Sequence, residues 1–428
     1  TKISGSAGVK ILSEMILEGG RPLLGCVRIQ GSKNAALPMM AAAVLHEGEV
    51  ALHNCPRIAD VFSMERILRS LGAETCWEDH TLRICCRNLH GFEIDREDAA
   101  SMRSSVMLMG SLLGRQGRVR IAYPGGCTIG ERPIDLHLKV FQAMSARVEE
   151  QGDLLEARTP DCLWGTRICF PISSVGATEN GILAAVKARG TTLLENCALE
   201  PEITHLCHFL QAMGAEIGGI GTRRLRIRGV RILRDAQFWV PPDRIVAGTY
   251  LYAAAATRGK VKLLDVPVDE IASILKVYEK MGGQWECNGG KLKADASGVR
   301  RMVEYTRTQC YPGFPTDMQS VLMAVLLTIP GKGRIREEIF EDRLKTAGEL
   351  KKLGGRIHTA GRDAWIIGGG PLTGARVEAR DLRGGAALAV AALAASGTTV
   401  IGSAGFVERG YEAIDADLAA LGARIEMR

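Results

Sequence analysis

The sequence predicts an α/β protein of six repeated units, grouped three and three into two domains. Three observations lead there. A short pattern recurs as Leu71-Gly72-Ala73-Glu74, Met144-Ser145-Ala146-Arg147, Met213-Gly214-Ala215-Glu216, Met281-Gly282-Gly283-Gln284, Leu353-Gly354-Gly355-Arg356 and Leu421-Gly422-Ala423-Arg424. Its spacing of 68 to 73 residues is that of a repeated structural unit. Amphipathic helical stretches precede it, as at 58–71, 133–144, 201–213 and 270–281. Between them runs a second set of helical stretches that are apolar on nearly every side.

Each part of the unit has a physical reason. The glycine of the pattern suits the residue after a helix C-terminus, where left-handed dihedrals are needed. Alternating segments such as Arg224-Leu225-Arg226-Ile227 and Ala364-Trp365-Ile366-Ile367 follow and read as short strands. The apolar helices start near Asn34, Arg103, Gly176, Arg244, Asp317 and Arg383. A helix apolar all round belongs in an interior. Half the helices are therefore inside, unlike Rossmann or TIM-barrel units, which put their helices outside a parallel sheet.

Six units divide evenly if the chain crosses between domains at 28–33 and 239–243. One domain is then 34–241, and the other combines 1–33 with 242–428. If the inner helices aim their N-termini at the gap, it becomes a cleft rich in unpaired N–H groups, suited to anions.

Composition narrows the partners. A chain of 428 residues has room for more than one domain, and 46% hydrophobic with 24% charged residues is ordinary for a soluble protein. The net charge is +6, and Lys and Arg rarely sit among the few aromatics. This argues against a nucleic-acid surface and for a positive cleft taking small anions. The 12 cysteines have neither disulfide-framework nor metal spacing. His205, Cys207 and His208 lack a further ligand at a recognised spacing, so no metal is expected. No apolar run reaches 18 residues, so no membrane span is expected. Glu14 and Glu18 interrupt the only apolar stretch near the start, which is unlike a signal peptide, and the cytoplasm is the expected compartment.

The chemistry concentrates in a few places. Cys127 lies in Pro124-Gly125-Gly126-Cys127-Thr128-Ile129-Gly130-Glu131-Arg132-Pro133. A thiol in a glycine-rich loop near a cation can act as acid or nucleophile. The same residues also read as a glycine turn before a helix with Pro133 in its first turn. Lys33 opens the first inner helix and is either a point charge for phosphate or a solvated side chain. Arg103 and Arg383 open two others, where the helix dipole disfavours a cation, which points to anion binding. Arg132, Arg343 and Arg409 add possible bidentate clamps. Asp317 is either a helix cap or a base for a substrate hydroxyl. Asp381 and Glu408 stand beside arginines, and pairing with them can be their only role.

At these residues the sequence resembles the UDP-N-acetylglucosamine enolpyruvyl transferases, or 1-carboxyvinyltransferases. The stretches are Gly31-Ser32-Lys33-Asn34-Ala35-Ala36-Leu37-Pro38, Met102-Arg103-Ser104-Ser105, 124–133, Ser174-Val175-Gly176-Ala177-Thr178, Pro242-Asp243-Arg244-Ile245, 314–319, Phe340-Glu341-Asp342-Arg343, Asp381-Leu382-Arg383 and Glu408-Arg409-Gly410-Tyr411. They run in family order from about residue 20 to the C-terminus.

The resemblance implies a two-domain inside-out α/β barrel with its active site in the cleft. It implies transfer of the enolpyruvyl group of phosphoenolpyruvate to the 3-hydroxyl of UDP-N-acetylglucosamine, the committed step towards peptidoglycan. Cys127 is then general acid or covalent nucleophile and the target of fosfomycin, and Asp317 is the base. Lys33, Arg132 and Arg409 hold the phosphate, with Arg103 nearby, while Arg343 and Arg383 hold the carboxylate. Asn34 orients the sugar. Ser174, Val175, Gly176, Asp243, Arg244 and Asp381 complete the substrate-binding set. No cofactor is implied, and a monomer suffices. Val246, Ile172 and Phe406 depart from residues common in the family. Alternatives are another acceptor, such as shikimate 3-phosphate or a secondary-metabolite nucleotide, and an inactive binding paralogue.

Overall fold

Six four-stranded sheets repeat one design. An edge strand runs parallel to its neighbour, which continues into an antiparallel ladder of two more strands. In one sheet Arg167–Cys169 lies parallel to Thr191–Glu195, followed antiparallel by Arg224–Arg228 and then Glu216–Gly218. Alternation sets the faces, with Leu225 and Ile227 inward and Arg224, Arg226 and Arg228 in solvent. The recurring pattern therefore leads into a hairpin rather than the single strand read from the sequence.

A computed structural model of the chain describes residues 13–124, 130 and 133–428. Of the six outer helices, Ala59–Ser70, Asp135–Ala143, Pro201–Ala212, Ala272–Lys280 and Thr346–Lys352 each precede a hairpin, and Ile414–Ala420 precedes Arg424–Met427, whose ladder partner is Met15–Glu18. Each stops where the repeat predicts. Gly72, Gly214, Gly282, Gly354 and Gly422 have φ between 91° and 102°. Ser145, the one copy without glycine, adopts φ 74°. The position, not the residue, demands the left-handed turn. Apolar stripes pin these helices down. Ile274, Leu275, Val277 and Tyr278 are the buried face of Ala272–Lys280, each worth about 1.5–3 kcal/mol on burial.

The inner helices are Lys33–Ala43, Leu108–Gln116, Val175–Ala185, Arg244–Thr257, Gln319–Leu327 and Leu382–Ala394. They are buried along most of their length, so the sheets form the outside. Two begin later than the sequence predicts. A 3-10 turn, Arg103–Met107, leads into the second, and another, Thr316–Met318, leads into the fifth.

Side chains gather into two cores. One draws on residues from Ala35 to Val240. The other joins Met15 through Ile29 to Ile245 through Leu421. The strand Met15–Glu18 sits between Thr398–Gly402 and Arg424–Met427. The chain passes between the cores twice, and the two passages run side by side. Ser32 N donates to Pro241 O at 2.7 Å and Asp243 N to Gln30 O at 2.8 Å. Gly31 pairs with Pro242 there, and a Cβ on it would lie 1.8 Å from Asn54 O. Among the described residues, no helix is long and apolar enough to cross a membrane.

Candidate active site

The cleft between the cores has a volume of about 1100 Å³ and takes residues from both. Inner-helix N-termini meet there, and four of them carry side-chain caps, of which Ser174, Asp243 and Asp381 belong to the predicted set. Ser32 Oγ accepts from Ala35 N, and Ser174 Oγ from Ala177 N. Asp243 Oδ1 accepts from Ile245 N and Val246 N at 2.8 and 3.0 Å, while its Oδ2 accepts from Lys33 N at 3.1 Å. Asp381 Oδ1 accepts from Arg383 N and Gly384 N. These carboxylates also counter the positive helix ends. Asp381 is thus a cap rather than an arginine partner, and buried Asp243 ties the two passages together.

Lys33 is not solvated. Its Nζ lies 2.6 Å from Asp60, and only 13% of its side chain is exposed. Arg409 reaches the same carboxylate with Nε at 2.8 Å and Nη2 at 3.3 Å. Burial pulls the Lys33 pKa below the ordinary lysine value, helped by Arg409 and Arg383 and opposed by Asp60. Burial alone would raise Asp60, but Lys33 and Arg409 hold it below the usual carboxylate range. Asp60 escapes a sequence reading because an acid in the first turn of an outer helix is ordinary.

Asp317 is not a cap. It lies inside its 3-10 turn, whose N-cap is Pro315. Its Oδ1 accepts from Arg343 Nη2 at 2.5 Å and its Oδ2 from Arg383 Nη2 at 2.8 Å. Burial would raise its pKa, yet Arg383 and Arg343 hold it well below the usual range. The two guanidiniums are themselves buried.

Arg244 forms a third cluster. Its Nε and Nη2 meet Glu202 at 3.0 and 3.4 Å, joining the fourth inner helix to an outer helix of the first core. Nearby, Tyr311 N donates to Glu200, and His205 contacts Glu270 at 2.7 Å. His205 is therefore engaged with a carboxylate across the cores, and Cys207 is a buried thiol pushed up to about 12 by desolvation. Among the described residues, no group of three or more His, Cys, Asp or Glu could hold a metal.

Asn34, Arg103, Ser174, Val175 and Gly176 line the same cleft. Arg103 Nη1 donates to Pro124 O at 3.3 Å. A Cβ on Gly176 would lie 2.9 Å from the His137 ring, so that helix end needs glycine. His137 Nδ1 meets Asn180 at 2.7 Å, and Asn180 also accepts from Gly110 N. Ile172 and Phe406 line the cleft, whereas Val246 is buried in the second core. Cys127 and Arg132 lie outside the described residues. The cleft thus gathers several cations, a carboxylate held by two of them, and polar helix ends. Such an arrangement binds a small multiply charged anion and stabilises charge that develops on it.

A family model for EPSP synthase (3-phosphoshikimate 1-carboxyvinyltransferase) matches residues 17–418. UDP-N-acetylglucosamine 1-carboxyvinyltransferase 1 of Symbiobacterium thermophilum is 44% identical over 423 residues, covering 97% of this chain and 96% of that protein. UDP-N-acetylglucosamine 1-carboxyvinyltransferase 2 of Carboxydothermus hydrogenoformans is 42% identical over 417 residues, covering 97% and 99%. The solved enolpyruvyl transferase NikO of Streptomyces tendae superposes with a TM-score of 0.88 at 23% identity, covering 97% of this chain and 99% of its own. An Acinetobacter baumannii EPSP synthase gives 0.73 at 19%, covering 97% and 100%. Both share the two-domain inside-out barrel. The chain belongs to the enolpyruvyl transferase superfamily and, within it, to the UDP-N-acetylglucosamine 1-carboxyvinyltransferases.

Proposed function

We propose that the chain transfers the enolpyruvyl group of phosphoenolpyruvate to the 3-hydroxyl of UDP-N-acetylglucosamine and releases phosphate, committing the sugar to peptidoglycan. The observation that carries this reading is the pairing, in one cleft, of a Lys33–Arg409 cation cluster with the Arg343–Asp317–Arg383 cluster. Phosphoenolpyruvate has two anionic ends, and the cleft offers cations for each.

In this reading Lys33, Arg132 and Arg409 hold the phosphate, with Arg103 beside them, and Arg343 and Arg383 hold the carboxylate. Asn34 orients the sugar, while Ser174, Val175 and Gly176 line the acceptor's path. Asp243, Arg244 and Asp381 hold the helix ends and the cleft wall rather than the reacting atoms. A proton from Cys127 adds to the methylene carbon, and the double-bond electrons form that C–H bond. The carbon bearing the phosphate becomes electrophilic and takes the electron pair of the sugar hydroxyl, whose proton passes to Asp317. Phosphate leaves with the C–O electron pair as the methyl group gives up a proton to the Cys127 thiolate, restoring both the double bond and the thiol. The fixed cations stabilise the charge that builds on phosphate.

The domains working in this way are 34–241, and 1–33 with 242–428. The enzyme acts as a cytoplasmic monomer on these two small substrates. The test is phosphate release from phosphoenolpyruvate with UDP-N-acetylglucosamine, set against shikimate 3-phosphate and other sugar nucleotides. Turnover with another acceptor but not with this one would overturn the assignment.

A further inference from the structure

Asp317 poses a chemical problem. A base must attract the incoming proton, and each Asp317 oxygen already accepts a charge-assisted bond from a buried guanidinium, whose positive charge opposes that proton. Burial acts the other way, but Arg383, Arg343 and Arg244 together outweigh it. The other groups around the pair do not relieve this. Asp243 and Tyr411 face Arg383, and Glu337 is occupied by Thr316 Oγ1 and by Ile339 N and Phe340 N. Left like this, Asp317 would take a hydroxyl proton very poorly.

The arginines also have unused capacity. Arg343 Nε and Arg383 Nη1 are buried without a hydrogen-bond partner among the described residues. Buried guanidinium N–H groups are costly to leave unmade. A planar carboxylate offers two oxygens with several lone pairs and can engage two guanidiniums at once. A second carboxylate entering here finds these spare donors and competes with Asp317 for the charge of the same two guanidiniums.

We infer that Arg343 and Arg383 form an anion-operated catch on Asp317: they hold its carboxylate idle until the carboxylate of phosphoenolpyruvate takes them over and releases it as the base. The inference rests on the proposed function and deepens it. It makes the basicity of Asp317 conditional on the co-substrate, so the sugar hydroxyl is activated only when an electrophile is present. The incoming negative charge acts with the loss of the two ion pairs, since both favour the protonated carboxyl.

The test follows the Asp317 carboxyl by carbon-13 NMR of the full-length protein, its signal identified by its loss in Asp317→Asn, with D317E as a second variant. It is titrated alone, with saturating phosphoglycolate (which has the carboxylate and phosphate but no vinyl group), with inorganic phosphate, and with UDP-N-acetylglucosamine. The expected result is an upward shift of about two pH units or more with phosphoglycolate, and little change with the other two ligands. Equal titration with and without phosphoglycolate, failure of phosphoglycolate to bind by phosphorus-31 NMR, or the same shift with inorganic phosphate or sugar nucleotide alone would each overturn the catch. Turnover measured on the same preparation separates the two ideas. An active enzyme without the shift refutes only the catch, whereas an enzyme inactive on this substrate pair refutes the function on which it rests.

Discussion

Replacing Asp60 with Asn probes the cation cluster most directly. The change keeps the side chain's volume and removes its charge. Lys33 and Arg409 now share one carboxylate at 2.6 and 2.8 Å, with that carboxylate 6% exposed. Without it, two cations face each other in a site with little water to screen them. Removing one partner of a buried ion pair costs about 3–5 kcal/mol, mostly from the charge left behind. Inorganic phosphate can replace the lost anion, and at a hundred times its dissociation constant it restores about 2.7 kcal/mol. In the parent protein phosphate must compete with Asp60, so its stabilising effect is smaller. Urea unfolding of both proteins, in phosphate and in chloride of matched ionic strength, measures all four values. A variant within about 1 kcal/mol of the parent in chloride, or an equal phosphate effect on both proteins, would refute this account of the cluster.

The repeat makes opposite predictions at equivalent positions. Ser145→Gly should stabilise by about 0.5–1 kcal/mol, since glycine adopts the left-handed region freely, whereas Gly282→Ala should destabilise, because its Cβ would lie 2.3 Å from Gly298 O; thermal unfolding of the two decides. Asp317→Asn should lower turnover by about 10²–10⁴-fold, the range for a lost general base, read by phosphate release. The folded pKa values of Asp60 and Asp317 lie below their unfolded values, so the unfolded chain binds more protons in that window. Their stabilisation is complete above about pH 4 and is lost as pH falls through the folded values. The urea midpoint should therefore drop on acidification, and less steeply in the Asp317→Asn protein. Cys127→Asp should keep part of the activity and resist fosfomycin, and an unchanged response to the drug would remove Cys127 as its target.

The repeated architecture was legible because it depends on local signals. A left-handed position after a helix and an all-apolar helix both leave marks within a dozen residues, and even Ser145 could be aligned by its neighbours. The second hairpin strand was missed because segments such as Glu216–Gly218 are too short to show alternation. Site partnerships were harder. Asp60 and Arg409 are 349 positions apart and meet only because the cores face each other. The same is true of Arg244 with Glu202; Asp317 meets Arg343 and Arg383 within the second domain, yet its turn reads as a simple cap until those distant arginines are folded onto it. Pairing across a cleft is a property of the assembled fold, and no single stretch of sequence holds it.

The central position of Met15–Glu18 in its sheet sets a timetable for the molecule as it is made. Its partners Thr398–Gly402 and Arg424–Met427 are synthesised only after the whole core between Ala35 and Val240. The core between Ala35 and Val240 needs nothing beyond the Ala236–Trp239 strand and Val240, so it can fold while synthesis continues. The strand Met15–Glu18 must wait unpaired until both of its partner strands have been made. Late-pairing strands are exposed to association with other chains, so the vulnerable interval in the making of this protein lasts until this sheet closes around Met15–Glu18.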